Sequence, residues 1–186
     1  MRCIVLDLEM NQPSQKIIQI GAVSAHINSR TMTAQSSFNE FINPQESLSP
    51  FIIELTGIQQ EQVDQAQELP DVFGRFLDWI AKEGCHITVA WGGDWNWLYQ
   101  QAKQSFTART IDLKAMYLLL HSTDVSSKQA KGLRGAMNRY GLIFRGDQHD
   151  ALIDAMNTTQ LLFEMMNRHV FAEEILKLAK KQSIGE

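Results

Sequence analysis

Residues 2–10 (RCIVLDLEM) are apolar almost without a break, which predicts a central strand covered on both faces. Residues 17–28 (IIQIGAVSAHIN) and 33–43 (TAQSSFNEFIN) predict two further strands, the second alternating polar and apolar positions. Asn28-Ser29-Arg30-Thr31 suits the turn between them. From Ser49-Pro50 the pattern becomes helical and stops at Gly57, proline opening and glycine closing a helix. A helix over 69–83, a short apolar strand over 86–91 (HITVAW), a helix over 94–104 and a strand over 108–113 (ARTIDL) follow. The remainder reads as helix over 113–121, 130–140, 150–167 and 170–181. Strands first, then strands alternating with helices, then helices predict an α/β domain: a five-stranded mixed sheet flanked by helices. No repeat, low-complexity tract or Gly/Ser linker interrupts this order, so a single domain over 1–186 is expected.

Composition narrows the class. With 44% hydrophobic and 20% charged residues the chain is neither disordered, collagen-like nor coiled-coil. Seventeen Lys and Arg against 21 Asp and Glu leave −4, so no global positive field advertises a nucleic-acid binder. A local patch survives this balance. Between Ser126 and Gly146 stand Lys128, Lys131, Arg134, Arg139 and Arg145, with no acid. Lys131 and Arg134, three apart, share a helix face suited to backbone phosphates, or simply to solvent. Two cysteines, Cys3 and Cys85, argue for a reducing compartment. Three apolar residues between Cys3 and Asp7 are too few for a signal peptide, and no stretch approaches a membrane span. A cytoplasmic protein with no membrane partner is expected.

The acids carry the chemistry. Asp7 and Glu9 are two apart on a strand and share a face with Cys3 and Val5. Buried, they oppose each other's ionisation. They fall near the strand's C-terminal end, where open α/β sheets place ligands, and a divalent cation with oxygen ligands resolves the conflict. Projection into solvent past the strand end would resolve it too. Asp154 lies three after Ala151 and four before Thr158, bordering the inward stripe of its helix; a first-turn acid also gains from the helix dipole. His149 stands just ahead of that helix, where a near-neutral pKa suits a general base if metal-binding acids are close. Asp94 follows Gly92-Gly93 and opens a helix, a position that capping alone explains.

These segments together resemble a known pattern: Val5-Leu6-Asp7-Leu8-Glu9-Met10; Ile17 to Val23; Glu54-Leu55-Thr56-Gly57-Ile58; Asp94 with Trp97 and Leu98; and Tyr140-Gly141-Leu142 before His149-Asp150-Ala151-Leu152-Ile153-Asp154-Ala155. The chain resembles the DEDDh branch of the DEDD 3′–5′ exonuclease superfamily, which has a ribonuclease H-like fold. The resemblance implies that Asp7, Glu9, Asp94 and Asp154 hold two divalent ions, Mg²⁺ or Mn²⁺, and that His149 takes a proton from the attacking water. It implies release of nucleoside 5′-monophosphates from a single-stranded 3′ end, with Met10 and Leu55 around the terminal base and ribose. The Trp-Gly-rich approach to Asp94 resembles the exoribonuclease subgroup, which tilts the expectation toward RNA.

Three positions depart from the family pattern. Gln19 stands where members often carry Glu, and Gly93 where a bulky residue usually precedes the second-motif acid. Asn96 offers a rival alignment in which that acid is lost; Asp94 is preferred because the shift would put Tyr99 and Gln100 at the apolar positions. A DNA exonuclease of repair or proofreading type is the alternative within the same chemistry. A nucleic-acid-binding module on an inactivated scaffold is the alternative outside it. Trp95 and Trp97 are readable as base-stacking residues or as core.

Overall fold

The alternation of side chains along β1 (Arg2–Met10) organises the molecule. The computed structural model describes residues 2–28, 31–103, 107–121, 130–169 and 180–183. Ile4, Leu6 and Leu8 enter one apolar layer, Cys3 and Val5 the other, as the two-residue period of a strand requires. β1 pairs antiparallel with β2 (Ile17–Ile27) and parallel with β4 (Ile87–Ala90). β3 (Met32–Phe41) extends the antiparallel side and β5 (Thr107–Asp112) the parallel side. All five predicted strands therefore form one mixed sheet.

A sixth strand, β6 (Lys180–Ser183), completes the order β3-β2-β1-β4-β5-β6. It pairs antiparallel with β5. This corrects the helix expected over 170–181: residues 180 and 181 are strand, and 170–179 lie outside the described residues. The open edge of β5 offers these residues a backbone hydrogen-bonding partner that local helical spacing does not reveal.

Between β3 and β4 lie α1 (Pro50–Thr56), α2 (Gln60–Asp64) and α3 (Leu69–Glu83). α4 (Asp94–Ala102) precedes β5, and α5 (Leu113–Leu120), α6 (Leu133–Arg139) and α7 (Ala151–His169) follow it. α3 and α4 bury Phe73, Phe76, Trp95 and Leu98 against the Ile4–Leu6–Leu8 face. Each such side chain contributes about 1.5–3 kcal/mol by leaving water. Trp95 stacks on Phe76 at 6.1 Å between ring centres, so it belongs to the core. The opposite face is closed by Tyr117 of α5, Met137 of α6 and Leu161, Leu162 and Met165 of α7. α1 starts where the Ser49 hydroxyl accepts from the Ile52 N–H at 3.3 Å and stops at Gly57, whose φ of 74° is left-handed. α2 was not expected: in five residues only Val63 is buried, too few to show a period.

Asp7 and Glu9 continue the Cys3–Val5 side of β1 and so face α7. What lets α7 come close is Gly21, paired with Asp7 in the β1–β2 register. A Cβ there would fall 2.0 Å from the Leu152 amide nitrogen and 2.1 Å from the Ala151 carbonyl carbon. Those atoms are helix backbone and cannot swing aside. Gly21→Ala is therefore expected to cost about 1–3 kcal/mol of stability and to weaken activity by moving the start of α7 off the sheet. An unchanged urea midpoint would contradict the close approach.

Candidate active site

Glu9 is buried and Asp7 half-buried at the C-terminal end of β1. Opposite them, a relay of hydrogen bonds pins the start of α7. The Gln19 side chain, fully buried on β2 and paired with Glu9 in register, accepts from the Ala151 N–H at 3.1 Å and donates to Asn39 Oδ1 at 3.0 Å. Asp150 Oδ1 accepts from the Ile153 N–H at 3.1 Å, and Asp154 Oδ2 from the His149 N–H at 3.1 Å. That last bond folds the chain back over the helix end. It accompanies a φ of 70° at His149, a left-handed conformation seldom adopted outside glycine and common at functional sites. One ligand atom each of Glu9, His149 and Asp154 lie within 4.8 Å of one another.

Asp94 arrives from the other side, as the first residue of α4. Gly93 occupies the capping position, so a capping role does not account for the Asp94 carboxylate. Its charge acts on both Asp7 and Glu9. Asn96, the rival position, is exposed, with its amide nitrogen turned back toward Gly93. The structure thus gathers all five sequence-predicted residues, Asp7, Glu9, Asp94, His149 and Asp154, at one end of the sheet.

Burial dominates the acidities, and mutual repulsion adds to it. Glu9 is pushed up to about 8 by burial and then by Asp154, Asp94 and Asp150. Asp94 rises to about 7 through burial and the charge of Asp112, and Asp154 to about 6 through burial, against the opposing bond from His149. Asp7 is held well above the usual carboxyl range by burial, then by Asp94, Asp154, Glu9 and Asp150. Asp94 Oδ2 and Asp154 Oδ1 are buried with no hydrogen-bond partner. Orphaned carboxylate oxygens among like charges are what a hard divalent cation satisfies, so these residues fit a metal.

The raised carboxyls carry a sign that can be tested. Each binds a proton more tightly folded than unfolded, so their contribution to stability is fullest below about 4, the unfolded value. It is lost as pH rises through about 6, 7 and 8, the folded values of Asp154, Asp94 and Glu9. A cation reverses the loss by displacing those protons. Added Mg²⁺ or Mn²⁺ is expected to raise Tm by several degrees more at pH 8 than at pH 5.5 in thermal scans against EDTA. An equal gain at both pH values would contradict the assignment.

Of the predicted basic patch, the structure brings Arg134 to the site. Its guanidinium lies 4.8 Å from the centre of the Phe144 ring, and its charge acts to lower the pKa values of His149 and Asp154. Lys131 is exposed beside α6, and Lys128 lies outside the described residues. Arg139 donates instead to His121 Nδ1 at 3.2 Å. Sequence reasoning missed Asp112, which caps α5 by accepting from the Ala115 N–H at 2.8 Å and loads Asp94 with negative field. Asp150 and Gln19 were missed as positioning residues for α7, since their bonds appear only once the helix docks.

A model of the exonuclease family matches residues 4–162, every element from β1 to most of α7. The chain belongs to that family. It is 32% identical over 189 residues to ERI1 exoribonuclease 2 of Danio rerio, covering 85% of this chain and 32% of that protein. The chain therefore spans about a third of the length of this relative. The nuclease domain of 3′hExo, a DEDDh family member bound to rAMP, superposes with a TM-score of 0.75 at 21% identity, covering 90% of this chain and 92% of that one. S. pombe Pop2p, in a form with Mg²⁺ and Mn²⁺ bound, gives 0.63 at 19% identity, covering 90% of this chain and 84% of that one. The fold of this chain is thus the one these exonucleases share, and in one of them divalent metal is bound.

Proposed function

We propose that this exonuclease shortens single-stranded nucleic acid from a free 3′ end, RNA before DNA, and releases nucleoside 5′-monophosphates. The gathering of Asp7, Glu9, Asp94 and Asp154 with orphaned oxygens beside His149 carries the reading. These four carboxylates would hold two divalent ions, Mg²⁺ or Mn²⁺, which when bound supply the positive charge that displacement at phosphorus demands.

The remaining steps fall to this chain's own groups. Water attacks the last phosphorus, its proton passes to the His149 imidazole, and the 3′-oxygen of the penultimate nucleoside leaves. Burial and then Arg134 lower the pKa of His149 below its usual value, which favours the neutral ring that can accept a proton at neutral pH. Arg134, exposed and held over Phe144, reaches for a backbone phosphate, with Lys131 and Lys128 beside it in the sequence. Met10, at the end of β1 against the Ile4–Leu6–Leu8 layer, and Leu55, exposed on α1, would flank the terminal nucleoside. The lean to RNA rests on the exoribonuclease relatives.

The test compares RNA, DNA and an RNA ending in one 2′-deoxynucleotide, with products identified by mass spectrometry. Nucleoside 5′-monophosphates, released faster from RNA, are expected. Nucleoside 3′-monophosphates or faster loss of DNA would contradict the proposal. Arg134→Ala is expected to raise KM on every sequence alike and to reduce the salt slope of binding by about 1. An unchanged salt slope would remove Arg134 from the phosphate path.

A further inference from the structure

The first turn of an α-helix carries N–H groups that have no partner inside the helix. At the start of α7 the Ile153 N–H is satisfied locally, by Asp150 Oδ1. The Ala151 N–H is satisfied from the sheet, by Gln19 Oε1 at 3.1 Å. Gln19 has no exposed surface, so both ends of its amide need partners within the protein. An N–H cannot accept, so the Gln19 oxygen faces Ala151 and the NH2 group needs an acceptor elsewhere. Asn39 Oδ1 is that acceptor, at 3.0 Å. Turned the other way, the Gln19 NH2 would face the Ala151 N–H, donor against donor. Asn39 therefore decides which way the Gln19 amide points. It is an exposed residue of the edge strand β3, opposite Gly21 in register, and Gly21 is opposite Asp7. Gln19, two residues along β2 from Gly21, reaches Asn39 on the diagonal.

We infer that Asn39 is a positioning residue for the reaction: acting through Gln19, it fixes the first turn of α7 and with it Asp154 and His149. The inference rests on the reading of Asp154 as a metal ligand and His149 as the base, and deepens it. Asp154 lies three residues after Ala151 on the same helix, and its Oδ2 holds the His149 N–H at 3.1 Å. A shift of Ala151 is therefore carried to both side chains. Groups that orient metal ligands from behind govern metal affinity and turnover in this way. Arg134, the residue assigned to a backbone phosphate, belongs to α6 and has no part in the relay. Loss of the relay therefore lowers kcat and metal affinity and leaves KM in place.

The experiment compares variants of the whole chain. Asn39→Leu removes the acceptor at similar size, Asn39→Asp keeps an oxygen in its place, and Gln19→Met removes the amide through which Asn39 acts. Asn39→Leu is expected to lower kcat about tenfold at unchanged KM, the lower end of the scale for groups that orient metal ligands. Mn²⁺ binding, read by electron paramagnetic resonance without nucleic acid, is expected to weaken by about the same factor. Asn39→Asp is expected to hold both within about twofold of wild type, since a carboxylate oxygen also accepts from the Gln19 NH2. Added to Gln19→Met, Asn39→Leu is expected to change either quantity by less than about twofold, because the link is already cut. If Gln19→Met fails to fold, the comparison of Asn39→Leu with Asn39→Asp decides alone, position 39 being exposed. Wild-type kcat and Mn²⁺ affinity in Asn39→Leu would overturn the relay. So would equal losses in Asn39→Leu and Asn39→Asp, or an undiminished effect of Asn39→Leu on Gln19→Met. A wild type that binds no Mn²⁺ and shortens no strand would instead overturn the metal-site reading on which the relay rests.

Discussion

Replacing Asp7 with alanine is expected to abolish hydrolysis and, in the absence of metal, to make the protein more stable. Both effects have one cause. Asp7 sits at the end of a central strand with Asp94, Asp154, Glu9 and Asp150 around it, and its carboxyl is held well above the ordinary range by burial first and by those charges next. At neutral pH the folded chain bears the cost of that arrangement and recovers it only when a cation arrives. Alanine removes a ligand and the cost together. A Tm rise of about 3 °C or more is expected in EDTA, with the gain on adding Mg²⁺ largely lost. Retained turnover in Asp7→Ala would sink the metal assignment, and a lower Tm in EDTA would mean that Asp7 stabilises the fold.

His149→Ala is expected to lower kcat by roughly 10²–10⁴-fold, the scale of a positioned general base. The pH profile separates this role from a merely structural one. His149 titrates below its usual value of 6.5 because it is partly buried and faces Arg134. The acidic limb of the wild-type rate, which rises as the ring loses its proton, therefore has its midpoint below 6.5. His149→Ala is expected to lack that limb. Wild-type kcat in the variant, or an unchanged limb at a lower rate, would place the base elsewhere.

The parts of this site that the sequence made legible are those where a residue contradicts its local pattern. Asp7 and Glu9 interrupt an apolar run at a spacing that forces them to one face. Asp154 borders a stripe otherwise turned inward. Capping alone sufficed for Asp94 until the structure put Gly93 at the cap and left Asp94 Oδ2 buried without a partner. Other parts had no local trace. Gln19 reaches Ala151 across 132 positions of chain, and nothing near position 19 announces that bond. Five basic residues between Ser126 and Gly146 look alike in sequence; the docking of α6 and the Phe144 ring bring Arg134 to the site, while Arg139 turns to His121. β6 escaped because its pairing energy lies in another strand's open edge. Trp95, readable either way, became core once Phe76 was placed beneath it.

The most direct test of the account is a degradation time course on a 5′-labelled single strand, with Mg²⁺, Mn²⁺ or EDTA, and Asp7→Ala beside wild type. A ladder that shortens from the 3′ end, requires the metal and vanishes in the variant is the predicted result. Measurable binding with no cleavage by wild type in either metal would contradict it, and would assign this chain's acids to a binding module on an exonuclease scaffold.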